Sequence, residues 1–417
     1  MTDPLAWLYG LQSHGIKLGL EGIVGLLDLM GRPDRTFPCV LVGGTNGKGS
    51  VCAMQDAILR AHGRRCGLYT SPHLVRVNER IRVDGVDISD EALHRQLEFV
   101  RASCERGLAS GALAAHPSFF EVMTAAALAA FRDARVDVAV LEVGLGGRLD
   151  ATNATEPVVS AIVTIALDHV ETLGATAAAI ASEKAGIARP GRALVSGVDQ
   201  SDARAVIERR CRELGAEFVD ARNAALPADW ALPLAGAHQR DNARVAVATF
   251  RAVAHALGVA SDDRLVRDGL AATRWPGRLQ RVAGRPGILL DGAHNPAGAE
   301  ALAAHLAFSE EMKPVLLFGA MKDKDLLGML APLAPWVVGV VATQPAVARA
   351  AEPEELAAVA GALGLAVETR SGPREALERA RARAGPDGLV LVAGSLYLVG
   401  EVLGLLEGGG ASRPVSM

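Results

Sequence analysis

Cysteine is scarce in this 417-residue chain, with five residues at Cys39, Cys52, Cys66, Cys104 and Cys211. No two form a Cys-x-x-Cys pair and none has metal-ligand spacing, which argues against a zinc ribbon or a dithiol redox motif. They read as free thiols in a reducing compartment. Runs of lysine and arginine are missing too, and the formal net charge is −4, so a general nucleic-acid binder is not expected. An anionic ligand must then be held by local groups rather than by a global positive field. No apolar run reaches the roughly 18 residues of a membrane span. The start, MTDPLAWLYG, has no charged segment followed by an apolar one, as a signal peptide would. These absences together point to a soluble cytoplasmic protein. Aromatics at 4% against abundant Ala and Gly are a compositional bias that carries no functional reading.

What the chain does have is alternation. Short apolar runs, bounded by Gly, Pro or polar residues, predict buried parallel strands at 39–43, 65–70, 137–143, 158–165 and 193–196. Helical patterns at 48–62, 119–132, 175–188, 202–214 and 239–257 lie between and after them. The expected fold is α/β, a doubly wound and mostly parallel sheet with a P-loop. The segment Thr273-Arg-Trp-Pro-Gly-Arg-Leu-Gln280 interrupts the pattern, and Pro276-Gly277 is a turn signal. Strands are predicted again at 288–291, 315–319, 337–342, 366–369 and 389–393. We therefore divide the chain into 1–280 and a smaller Rossmann-like α/β domain, 281–417. The Gly-rich tail from Glu407 to Pro414 is expected to fray.

The strongest local signal is Gly43-Gly-Thr-Asn-Gly-Lys-Gly-Ser50, between a strand and a helix. Glycines let backbone N–H groups turn onto phosphate oxygens, the helix N-terminus adds its positive end, and Lys48 supplies a mobile charge. It departs from the usual pattern, because Val42 holds the first glycine position and Gly49 follows the lysine. Ser50 either serves phosphates or metal, or only caps the helix. Three further stretches sit at strand ends, where open α/β sheets bind ligands. Ser71 is a possible magnesium ligand or part of a Ser-Pro turn, with Arg76, Asn78, Glu79 and Arg80 following as a loop able to cover the site. Glu142 is a carboxylate in an apolar strand end, costly to bury unless paired or metal-bound. His169 stands at the sheet rim. Lys184, in a predicted helix, would by pattern alone be a solvated lysine. A nucleotide switch would need a base-reading Asn-Lys-x-Asp element, and the sequence has none.

Taken in order, the strings IKLGLE (16–21), GTNGKGS (44–50), YTSPHL (69–74), SFFE (118–121), LEVGLGGRLDATN (141–153), LDH (167–169), SEKAGI (182–187), HQRDNA (238–243), WPGR (275–278), DGAHNP (291–296) and GSLYLVGE (394–401) span nearly the whole chain. This set resembles the bacterial dihydrofolate synthase/folylpolyglutamate synthase family of the Mur-ligase superfamily. The resemblance implies an ATP-dependent ligase that joins L-glutamate to dihydropteroate, to a reduced folate, or to both, through an acyl phosphate. It implies ATP phosphates on Thr45, Asn46, Gly47, Lys48, Gly49 and Ser50, with Asn242, Arg278 and Asp291 also on the nucleotide. One Mg²⁺ would sit on Ser71 and Glu142. A second would sit on His169 and Lys184, the lysine carbamylated into an anionic oxygen ligand. Ser118, Phe119, Phe120 and Glu121 with Leu149, Asp150 and Ala151 would line the pterin site. Asp291, His294 and Ser395 are candidates for the glutamate side, which makes Lys48, Lys184, His169, Asp291 and His294 the expected catalytic set. Small molecules are the expected partners of a monomer that binds neither nucleic acid nor membrane.

Overall fold

The computed structural model describes residues 3–14, 19–309 and 312–408. The readings placed on Ile16–Leu18 and on the tail from Gly409 onward lie outside the described residues. Among the described residues, fourteen strands form two sheets. The first contains β1 (Cys39–Gly43), β2 (Cys66–Tyr69), β3 (Ile81–Val83), β4 (Val86–Asp87), β5 (Val138–Glu142), β6 (Val159–Ile162), β7 (Ala193–Ser196) and β8 (Glu217–Asp220), in the order β4-β3-β2-β5-β1-β6-β7-β8. The second contains β9 (Gln280–Val282), β10 (Gly287–Leu290), β11 (Val315–Phe318), β12 (Gly339–Thr343), β13 (Val367–Arg370) and β14 (Leu389–Ala393), in the order β13-β12-β11-β14-β10-β9. Pairing is parallel except along β2–β3–β4 and between β10 and β9. The molecule is thus α/β with two parallel-dominated sheets, as its sequence implied.

Strand β1 explains why the apolar runs do not alternate. Every residue in it is buried. Cys39 and Leu41 belong to one hydrophobic cluster while Val40 and Val42 belong to the cluster on the opposite face. A strand covered on both sides needs apolar side chains at each position. The helix that leaves the phosphate loop, Lys48–Ala61, is buried from Gly49 through Leu59. Helix Asp263–Ala272 crosses it at Gly269, where an added Cβ would lie 2.6 Å from the Ile58 Cα.

One sequence expectation needs correction. The helix expected at 175–188 is shorter, Ala177–Lys184, and its last turn tightens into a 3₁₀ segment at Ala185–Ile187. Gly186 lies in this segment and packs against Arg148, since an added Cβ there would stand 2.4 Å from the Arg148 Cβ. The loop from Arg76 to Arg80 is held by its own hydrogen bonds, and Arg76 and Glu79 line a cavity together with Ser71, Glu142 and Arg278. Glu79 accepts from the amides of Leu74, Val75 and Arg76. Arg76 and Asn78 both donate to Asp90, and Arg80 is fully buried. The chain then turns through Asp84-Gly85, both at positive φ, into a β3–β4 hairpin.

The two sheets meet where helix Leu396–Leu406 crosses the loop after β2. An added Cβ at Gly400 would stand 2.0 Å from the carbonyl oxygen of Leu74. Backbone cannot give way there as a flexible side chain would, so only glycine permits this approach. Gly400→Ala should cost about 1–3 kcal/mol, the usual price of overpacking, read as a lower thermal midpoint. A variant as stable as the parent would show that the helix and loop are not in this contact.

Candidate active site

Loops at the C-terminal ends of β1, β2, β5 and β6 surround a cavity of about 380 Å³ that β10 closes from the second sheet. Its floor is the phosphate loop. Gly44 has φ +140° and Gly47 φ +83°, conformations that glycine alone adopts freely. The loop is strapped to the segment after β6. Thr45 N donates to the Thr164 carbonyl at 2.8 Å, and the Thr164 hydroxyl bridges the Asn46 amide and carbonyl. Gly47, not Ser50, is the helix N-cap, and the buried Ser50 hydroxyl has no hydrogen-bond partner. The structure therefore removes the capping role from Ser50 and leaves a free oxygen beside Lys48.

Two lysines converge on this floor. Lys48 Nζ donates to the Gly44 carbonyl at 3.1 Å and to the Thr45 carbonyl at 3.2 Å. Lys184 Nζ donates to the same Gly44 carbonyl at 3.0 Å. Lys184 is not the solvated lysine that its helical pattern suggests, since it is only 4% exposed. Burial first, and then the charge of Lys48, bring its ammonium pKa down to about 7. A lysine in that state has a substantial neutral, nucleophilic fraction near neutral pH.

Oxygen donors face the lysines. Glu142 Oε2 accepts from the Ser71 amide at 3.1 Å, while the buried Ser71 hydroxyl has no partner. Burial pushes the Glu142 carboxyl up, and Lys48 and the Ser71 amide oppose that. Among the described residues no three His, Cys, Asp or Glu side chains cluster closely enough to hold a metal. Serine hydroxyls and one carboxylate nevertheless fit a hard cation, which takes oxygen ligands and few protein contacts.

His169 and His294 line the same cavity, and burial chiefly brings each down to about 4, so both are neutral at pH 7. His294 Nδ1 sits 2.8 Å from the Gly292 carbonyl, which assigns the ring proton there and leaves Nε2 as an acceptor. Arg278 lines the cavity and donates to its neighbouring Gly277 carbonyl. Asn242 packs on the loop, with its Oδ1 where a Cβ at Gly47 would go. Asp291 also borders the cavity, but both its oxygens are engaged by backbone, from Leu279 and Ala293.

A second cavity, about 460 Å³, adjoins the first, and Pro72, Gly144, Leu145, His169, His294 and Leu396 line both. Phe119, Phe120, Leu149 and Ala151 give it an apolar wall, and Ser395 faces it from the second sheet. Ser118 and Glu121 form a capping box at the start of helix Phe119–Ala134. Asp150 spends both oxygens on Leu145 and Thr152. These three polar residues border the cavity while their side chains serve the local backbone.

Sequence reasoning missed the groups that join the two domains. Asn46 and Asn295 exchange two side-chain hydrogen bonds of 3.0 Å, and Asn295 also donates to Asp168. Lys324, from the loop after β11, forms a buried ion pair with Asp168. Burial alone would raise the Asp168 carboxyl, but neighbouring cations hold it well below its ordinary range. His294 contributes to that only when protonated, so at neutral pH the effective partner is Lys324. Asp168 and Asn295 each adjoin a histidine that the sequence had singled out, a weak signal in hindsight; nothing pointed to Lys324.

A family model described as "Mur ligase, glutamate ligase domain" matches residues 277–396. A Mycobacterium tuberculosis protein named dihydrofolate synthase/folylpolyglutamate synthase is 39% identical over 83% of this chain and 78% of its own length. A solved structure of E. coli FolC with DHPP and ADP superposes with a TM-score of 0.87 at 31% identity, covering 98% of each chain. Another, a bifunctional folylpolyglutamate synthase/dihydrofolate synthase with Mn, AMPPNP and L-glutamate bound, gives 0.85 at 32% identity over 98% of each chain. The chain spans half the length of two longer curated relatives, both named probable bifunctional folylpolyglutamate synthase/dihydropteroate synthase. With this identity sustained across nearly all its length, and with the Gly-rich loop, the strand-end polar residues and the second sheet in place, the chain belongs to the dihydrofolate synthase/folylpolyglutamate synthase family of Mur ligases.

Proposed function

We propose that this chain is an ATP-dependent carboxylate–amine ligase that joins L-glutamate to dihydropteroate and to reduced folates, acting as a cytoplasmic monomer with residues 1–280 binding ATP. The observation that carries the reading is the junction of two cavities. One has two lysines aimed at a phosphate loop, the other an aromatic wall, and His169 and His294 stand between them.

A carboxylate is a poor electrophile. In this reading the pterin-borne carboxylate attacks the γ-phosphorus of ATP, giving an acyl phosphate and ADP. The glutamate amine then attacks the acyl carbon, the amide forms, and phosphate leaves with the amine's proton lost to solvent or a base. Lys48 and Arg278 supply charge against the phosphates, and the loop amides position them. Phe119 and Phe120 hold the pterin so that its carboxylate reaches the shared rim. His294, its Nε2 free to accept, orients the attacking amine. The Asp168–Lys324 pair and the Asn46–Asn295 exchange hold the second domain over the site, which limits access of water to the acyl phosphate.

Two magnesium ions complete the proposal, one held by Ser71 and Glu142 and one by His169 and a carbamylated Lys184. Bound there, they would neutralise charge on the transferring phosphoryl group. The unpartnered Ser71 hydroxyl supports the first site. For the second, a buried lysine with its pKa near 7 is primed to take up carbon dioxide, which exchanges a cation for an anionic oxygen ligand.

ADP release with ATP, Mg²⁺ and L-glutamate should be stimulated by both dihydropteroate and a reduced folate. Stimulation by one alone would restrict the enzyme to a single activity, and by neither would remove the folate assignment. Lys48→Ala should lower that turnover by at least about a hundredfold, the scale of losing one preorganised charge from a phosphoryl-transfer site. Near-normal turnover would contradict the phosphate-loop role. Lys184→Ala should be inactive and partly restored by added short-chain carboxylates. A loss that no carboxylate reverses would argue against carbamylation.

A further inference from the structure

A fully buried arginine stands behind the aromatic wall, and no carboxylate pairs with it. Arg80 has no solvent exposure, and among the described residues it forms no ion pair. Its Nη1 and Nη2 are buried without hydrogen-bond partners. Its Nε donates to His73 Nδ1 at 2.9 Å, and its guanidinium lies over the Phe119 ring, 5.2 Å from the centroid. His73 is neutral and able to accept, since burial and then the Arg80 charge hold it well below its usual range. A desolvated cation with two idle NH₂ groups costs stability. The electron-rich face of the ring gives back part of what water would supply.

The base of Arg80 is rigid. Thr70 N donates to the Arg80 carbonyl at 3.1 Å. Arg80 ends the 3₁₀ turn Val77–Arg80, which Asn78 ties down by donating to the Ile88 carbonyl and to Asp90. The aromatic wall therefore has a second layer. Tyr69 backs Phe120, with ring centres 6.0 Å apart, and Arg80 backs Phe119. Phe119 and Phe120 line the cavity, whereas Arg80 and Tyr69 do not.

We propose that Arg80 is a positioning residue that pins the Phe119 ring from outside the cavity, so that the wall presents one fixed face to the ring system of the pterin substrate. The inference rests on the ligase reading above and names a residue that shapes pterin binding without touching the pterin. A wall ordered in advance removes the cost of ordering it when the substrate arrives, so the loss of Arg80 falls on binding and not on the chemical step. A purely space-filling role would be met as well by methionine, which occupies similar volume without a buried charge.

The test is steady-state kinetics on the full chain, with pterin, ATP and L-glutamate varied in turn, for Arg80→Met, Arg80→Lys, Phe119→Leu and the double variant that combines the first and third. Arg80→Met should raise KM for dihydropteroate and for a reduced folate about 3- to 30-fold, the scale of a desolvated cation–π contact. Its kcat and its KM for ATP and L-glutamate should stay within about twofold of the parent, as expected where only one binding surface is loosened. Arg80→Lys, which keeps the charge and loses the planar fork, should fall between. On the Phe119→Leu background, Arg80→Met should add less than about twofold, because the ring it acts through is gone. Effects that multiply in full overturn the proposal. So does an unchanged pterin KM, or a raised Mg²⁺ requirement in its place, which would put the Arg80 charge to use at Glu142. Should Arg80→Met not fold, the same double-variant comparison with Arg80→Lys decides. If the unaltered chain shows no pterin-stimulated ADP release, the ligase reading itself fails, an outcome distinct from a failure of Arg80 alone.

Discussion

Two ammonium groups share one carbonyl oxygen at the base of this site. Lys48 and Lys184 both donate to Gly44, and among the described residues neither forms an ion pair; Glu142, which lines the same cavity, accepts from the Ser71 amide. Burial chiefly, and then repulsion between the like charges, bring the Lys184 pKa down. The arrangement persists because the surrounding structure over-determines it. Thr45 and Thr164 strap the loop to the segment after β6, glycines carry the positive φ angles, and Gly269 lets a second helix brace the first. Positive potential preorganised by Lys48, the loop amides and the helix N-terminus is what a polyphosphate and a transferring phosphoryl group require.

The second sheet depends on the same loop. Asn46, inside the phosphate loop, bonds Asn295, and Asn295 bonds Asp168, whose charge is matched by Lys324 from the loop after β11. Domain position is thereby coupled to the floor of the first cavity through a short polar chain. Buried polar groups of this kind are weak sources of stability but good sources of specificity, since any other domain arrangement would leave them unpaired. The aromatic cavity then inherits its geometry from both sides, with Phe119 and Phe120 on one wall and Ser395 and Arg349 on the other.

Much of the fold was legible because its signals are local. A five-residue apolar run such as Cys39–Gly43 declares a strand buried on both faces, and Gly44 through Ser50 declares a phosphate loop by its glycines and lysine. Lys184 was legible only through family resemblance, because burial is a tertiary property that an amphipathic pattern does not record. The contacts that join the domains were not legible at all. Asn46 and Asn295 are 249 residues apart, and Asp168 and Lys324 are 156 apart. The predicted nucleotide, metal and pterin residues do gather around two adjoining cavities, but Glu121, Asp150 and Asp291 turn much of their hydrogen-bonding capacity to the backbone around them.

The account turns on activation of a carboxylate as an acyl phosphate, and isotope transfer tests that step most directly. The reacting carboxylate of the pterin substrate would be labelled with heavy oxygen, and the inorganic phosphate released during ligation examined by mass spectrometry. One labelled oxygen per turnover should appear in the phosphate, with the other retained in the new amide. Phosphate free of label, alongside normal product formation, would contradict the mechanism.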